Sequence, residues 1–191
     1  MKNPLHTIVV LLLVFLVGCD GQDLKHKTAQ EILKSKHLLE VFAEKIQFSP
    51  EHYTEIRQDT LLQSGINVKI KYFSDMDTTK SVLKVYKKDT LTVKHYYRAF
   101  NADVSVSAEN EILFAQIINT SFINKQLHKT LTDYILTHIE VLQGADDSMQ
   151  NTQLYLEFCK PERKNCKAYI LKIADKNTFS IKETDSNYVR T

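Results

Sequence analysis

The sequence predicts an α+β fold, an antiparallel β-meander sheet packed with an N-terminal helix and a second, internal helix. Three observations predict it. Apolar residues recur at helical spacing in two stretches, one opening near Thr28 and one running from about Asn124 to His138. Between and after these stretches the period drops to two, and β-branched and aromatic residues dominate. The links between strand-like segments are short, which suits hairpins rather than the crossovers of a dozen or more residues that parallel pairing needs.

Taken in order, Thr28-Ala29-Gln30-Glu31 reads as a capping box, in which the threonine hydroxyl and the glutamate each satisfy a free backbone N–H. Ile32, Leu39, Phe42 and Ile46 then recur as one stripe, widened by Leu38 and Ala43, while Lys34, Glu40 and Lys45 fall outside it. Pro50 ends the helix. A helix lying on a bilayer would want a polar face rich in lysine and arginine, and this face is mixed, so the stripe is assigned to a sheet.

From Tyr53 to about Ile118 the period is two. Ile66, Val68, Ile70 and Tyr72 alternate with Asn67, Lys69, Lys71 and Phe73, and Val82 to Tyr86 and Leu91 to Arg98 have the residue bias of strands. Gly65, Asp75 to Thr79, Lys87 to Thr90, Asn101-Ala102 and Glu109-Asn110 punctuate them. In the second helical stretch Ile123, Leu127, Leu131, Tyr134, Ile135 and His138 share a stripe, and Gly144 stops the segment. After a polar loop, Gln153 to Cys159, Lys167 to Ile173 and Thr178 to Lys182 read as a closing meander.

The N-terminus has a separate logic. Lys2 is a basic start, Ile8 to Val17 is an apolar run of about ten residues, and Gly18 is the small residue that a cleavage site requires. Such a run is about half the length of a membrane-spanning helix. Leu16-Val17-Gly18-Cys19 resembles the lipobox of bacterial lipoproteins. The resemblance implies a signal peptide over residues 1–18, a diacylglycerol on the Cys19 thiol, a lipidated tether over 19–27 and one globular domain over 28–191. It places the chain in the bacterial cell envelope, with the membrane as its first partner. Asp20 and Asp23 leave the leaflet open, because an aspartate at this place resembles an inner-membrane retention signal in enterobacteria and a surface-export signal in Bacteroidota. The layout of the body is also similar to small Bacteroidota lipoproteins of unknown function.

With Cys19 lipidated, Cys159 and Cys166 remain as an isolated pair in an oxidising compartment. Pro161 and the charged run Glu162-Arg163-Lys164 make a turn between two strand-like segments, which places the cysteines opposite each other and within disulfide reach.

Charge and motifs bound the chemistry. Removing Lys2 with the first 18 residues leaves 24 basic against 23 acidic side chains, so charge gives no argument for nucleic acid. Beyond the tether only Gly65 and Gly144 remain, too few for a phosphate-cradling loop. There is no G-x-S-x-G, H-E-x-x-H or C-x-x-C, and the histidines show no paired metal-ligand spacing, so no cofactor or metal is expected. The densest polar-aromatic cluster is His95-Tyr96-Tyr97-Arg98, and His95, Tyr97 and Arg98 are the candidate ligand-binding residues. Adjacent strand residues face opposite ways, so Tyr96 and Tyr97 are expected on different faces. Two function classes follow: a non-catalytic, lipid-anchored protein that binds an envelope partner or small ligand or acts as a structural accessory, and a membrane-tethered hydrolase without a familiar motif. The first is the expectation. Convergence of His95, Arg98, Asp103, Asp133 or Glu157 in one deep cleft would favour the second.

Overall fold

The computed structural model describes residues 28–35, 44–88, 91–109, 111–142, 152–161 and 165–185. The chain divides into two compact units, residues 1–45 with 87–92, and residues 46–86 with 93–191. Among the described residues the fold is mainly antiparallel β with two short α-helices. No helix among the described residues is long and apolar enough to cross a membrane.

The first unit holds helix α1, Ala29–Ser35. Its capping box forms as the sequence predicts: Thr28 donates its amide to Glu31 Oε2 at 2.7 Å, and the Glu31 amide donates back to Thr28 Oγ1 at 3.3 Å. The rest of the expected helix needs correction. None of α1 is buried, and Ile46 lies instead in strand β1, Glu44–Ser49, where it is exposed. Ile46 and Phe48 alternate with Lys45 and Gln47, a period-two pattern that the longer helical stripe absorbed. Leu38, Leu39, Phe42 and Ala43 lie outside the described residues.

The second unit contains two four-stranded meanders around one core. The first has strand order β2-β3-β6-β7, with β2 at Glu55–Leu61, β3 at Ile66–Ser74, β6 at Phe100–Ala108 and β7 at Glu111–Ile118. Gly65, at φ +78°, makes the tight turn from β2 to β3, a conformation in which a side chain is strained. The second sheet runs β8-β9-β10-β11, with β8 at Ile135–Leu142, β9 at Thr152–Cys159, β10 at Cys166–Asp175 and β11 at Thr178–Thr184. Ile66, Val68 and Ile70 of β3 and Val104 and Val106 of β6 face the same core as Leu136, Leu154, Leu156, Phe158 and Leu171. Tyr72 joins the two layers by donating its hydroxyl to the Leu136 carbonyl at 2.8 Å.

A single expected sheet is therefore three. The hairpin β4, Val82–Lys88, and β5, Leu91–Tyr97, leaves the meander between β3 and β6 and joins β1 in a third sheet ordered β1-β5-β4. The expected break at Asn101-Ala102 is also absent, because both residues lie inside β6 opposite Phe73 and Tyr72.

Helix α2 spans Thr120–Leu127, not 124–138. Asn119 caps it by accepting from the Phe122 amide at 3.0 Å. His128 then takes a left-handed conformation at φ +50° and Asp133 another at φ +62°, which turn the chain into β8. A bulge at Thr137 explains the misleading period. Leu136 pairs with Phe158 and His138 with Glu157, so Thr137 is the extra residue and the inward Leu136 and Ile139 are three apart rather than two. The Thr137 hydroxyl donates to the Glu157 carbonyl at 3.1 Å.

Candidate functional site

Arg98, the first of the candidate side chains to be fixed by its surroundings, follows β5 and is 6% exposed. A buried guanidinium must find acceptors for its donors. Its Nε donates to the Pro50 carbonyl and its Nη1 to the Met76 carbonyl, each at 3.0 Å, while the Arg98 amide donates to the Ser49 carbonyl at 2.9 Å. The guanidinium carbon also lies 4.6 Å from the centre of the Phe48 ring. Arg98 thus ties the end of β1 to the loop after β3. That loop is ordered in turn by Asp75, which accepts from Lys80, the Asp77 amide and Asn101. Burial alone would raise the Asp75 carboxyl, but these three donors outweigh it and its pKa falls below the ordinary value.

His95 and Tyr97 point to one face of β5, two residues apart, and their rings stack with centroids 4.1 Å apart. Tyr96 points to the other face and stacks on Phe48 at 5.3 Å, so the two tyrosines are separated as expected. Sequence reasoning missed Ser49: its Oγ shares a 2.7 Å hydrogen bond with His95 Nε2. A hydroxyl held by an imidazole is the first half of a nucleophile and base pair. The other half is a set of donors aimed at a developing negative charge, and Nε and Nη1 of Arg98 donate instead to backbone carbonyls. The arrangement orders the end of β5 against the end of β1 and the loop after β3.

The remaining candidate groups lie on different elements. Asp103 is on the outer face of β6, Asp133 in the turn after α2, and Glu157 on β9 opposite His138. Cys159 and Cys166 face each other across β9 and β10 at disulfide-bonding distance, with Cα atoms 4.0 Å apart. The Glu157 carboxylate lies within 4.8 Å of both sulfurs, but sulfurs bonded to each other offer no thiolate to a metal. Cys19 lies outside the described residues.

One surface was not singled out by sequence reasoning. On the outer face of the first sheet, Arg57 and Asp59 of β2, Lys69 and Lys71 of β3, and Asp103 and Ser105 of β6 line a shallow groove of about 500 Å³. The register explains it: Arg57, Lys71 and Asp103 fall in one cross-strand row, and Asp59, Lys69 and Ser105 in the next. Lys69 pairs with Asp59 at 3.8 Å, and Lys71 and Arg57 both reach Glu55. A hydrogen bond from Tyr53, then that from Arg57, hold the Glu55 carboxyl down at about 2. Beside the groove Ile112 and Ile117 of β7 are exposed. The signal in the sequence was the outward half of the β3 alternation, Lys69 and Lys71.

No protein-family model matches the chain, and no curated protein matches it in sequence.

Proposed function

We propose that this chain is a bacterial lipoprotein, held in the cell envelope by acyl chains on Cys19, and that its folded part is a non-catalytic binding or structural accessory module with an envelope protein as partner. The observation that carries the binding half is the outer face of the β2-β3-β6-β7 sheet. A solvated sheet face is ordinarily polar throughout. Here the paired charges of Arg57, Asp59, Lys69 and Lys71 lie on the same face as two exposed isoleucines, Ile112 and Ile117 of the edge strand β7, and exposed apolar side chains beside polar ones are the composition of a protein contact. The anchor half rests on Leu16-Val17-Gly18-Cys19 and the apolar run before it.

A photocrosslinking side chain at Ile117, in the natural envelope, is expected to give a discrete adduct, whereas the same group at the exposed Lys172 on the second sheet gives none. Equal labelling from both positions, or none from Ile117, would count against the binding face. The second reading, a membrane-tethered hydrolase, draws on the Ser49 and His95 pair alone. Labelling by a fluorophosphonate that Ser49→Ala abolishes would establish it.

A further inference from the structure

The hairpin that carries Cys159 and Cys166 presents a second charged surface, at the end of the β8-β9-β10-β11 sheet. Lys160 lies just past Cys159 and Lys167 just past Cys166. Lys167 pairs with Phe158, and Lys160 is two residues beyond Phe158, so strand alternation puts both lysines on one face of the hairpin. Both ammonium groups reach the same ring: Lys160 Nζ is 5.5 Å and Lys167 Nζ 5.8 Å from the centre of Tyr134.

The Tyr134 hydroxyl donates to Asn165 Oδ1 at 2.8 Å, which fixes the Asn165 amide with its carbonyl end spent and its NH₂ end left to donate. Tyr169, two residues along the same face from Lys167, has a buried hydroxyl with no hydrogen-bond partner. Glu183, opposite Tyr169 in β11, pairs with Lys129, which holds its carboxyl below the ordinary range, and the charge of Lys167 lowers it further. Asp185 follows at the end of β11 and is exposed. Neither Lys160 nor Lys167 forms an ion pair among the described residues. Two ammonium groups near one ring concentrate positive charge there, and a bound anion would offset it.

We propose that Lys160, Lys167 and the Asn165 amide form a binding site for a phosphate-type oxyanion, floored by Tyr134. Two positive charges match the charge of about −1.5 to −2 on a phosphate monoester near neutral pH. Lysine ammonium groups and an amide, whose donors diverge, suit a tetrahedral oxyanion better than a planar carboxylate, which arginine binds in parallel. The oxyanion is either a lipid headgroup or a free phosphate. The site is independent of how the chain is anchored, because none of its groups belongs to the N-terminal segment.

The test is a titration of the intact protein, held in a non-ionic detergent, with inorganic phosphate and with glycerol 3-phosphate, followed by amide NMR and compared with chloride at matched ionic strength. The expected result is saturable movement of the Asn165 side-chain resonances. Affinity should weaken by about tenfold or more in Lys160→Gln/Lys167→Gln and be retained in Lys160→Arg/Lys167→Arg, which keeps both charges. Tighter binding of glycerol 3-phosphate identifies a headgroup, and tighter binding of inorganic phosphate identifies a free anion. Movement no greater than with chloride, or equal affinity in the glutamine and wild-type proteins, overturns the site. The arginine variant guards against misfolding, and the detergent keeps the result separate from the fate of Cys19.

Discussion

The two four-stranded sheets and the three-stranded sheet use the same kinds of residue and reach opposite outcomes. In β3 Ile66, Val68 and Ile70 and in β6 Ala102, Val104 and Val106 are buried, because the meander of β8 to β11 lies across that face. In the β1-β5-β4 sheet Val93 is the buried hydrophobic side chain among the described residues, while Ile46, Leu83 and Val85 stay exposed. Alternation by itself does not make a core; it makes a face, and burial needs a second layer. Where that layer is supplied, aliphatic contacts hold the strands. At the end of β5 the work falls to Arg98, whose hydrogen bonds and ring contact pin three segments together.

The largest effect should come from the covered side. Phe158 is fully buried between the two sheets, so Phe158→Ala should cost about 3–5 kcal/mol, read by chemical denaturation. A loss below about 1 kcal/mol would mean that the two sheets do not share a core. The Arg98 contacts come next. Arg98→Ala removes two charge-assisted hydrogen bonds to the Pro50 and Met76 carbonyls and should cost about 3 kcal/mol. Arg98→Lys should recover little of it, because one ammonium cannot reach both carbonyls and stack on Phe48. Full recovery by lysine would show that charge alone matters there.

The disulfide hairpin is intermediate. Closing a loop of about eight residues between Cys159 and Cys166 is worth roughly 2.5 kcal/mol in the chain-entropy account, so reduction should lower the midpoint without unfolding the β8 to β11 sheet. The uncovered sheet should give the smallest change: Val85→Ala should move stability by no more than about 0.5 kcal/mol, and a loss of 2 kcal/mol or more would show that its face is covered.

Glu55 adds a pH dependence on the open face of the first sheet. Its folded pKa of about 2 lies below the ordinary 4.5, so its contribution is complete above 4.5 and is lost as the pH falls through about 2. The carboxylate is at the surface, so the effect should be small and weaken with salt. Glu55→Gln should flatten the acid limb of the melting curve, and an unchanged limb would refute the role of the Tyr53 and Arg57 contacts.

The same contrast explains what was legible in the sequence. The capping box at Thr28 and Glu31 was readable because both partners lie within one turn, and the β3 alternation because its inner face is fully buried. The cysteine pairing followed from a short turn between two strands. The second helix was misread because the bulge at Thr137 turned a spacing of two into three. A better signal was present in Ile135, Thr137, Ile139 and Val141, β-branched at every second position, and Asn119 before Thr120 marked the true helix start. At the candidate site, His95 and Tyr97 were readable as a cluster. Ser49 was not, because the contact joins residues 46 apart in sequence. The role of Arg98 was equally hidden, since its acceptors are backbone carbonyls of two other segments.

Cys19 decides the functional account most directly. Intact mass spectrometry of the protein isolated from its natural envelope is expected to find a chain that begins at Cys19 and carries the added mass of a diacylglycerol, with detergent-phase partitioning that Cys19→Ala abolishes. A mature chain with an unmodified Cys19, or an alanine variant of unchanged processing and partitioning, would contradict the anchor.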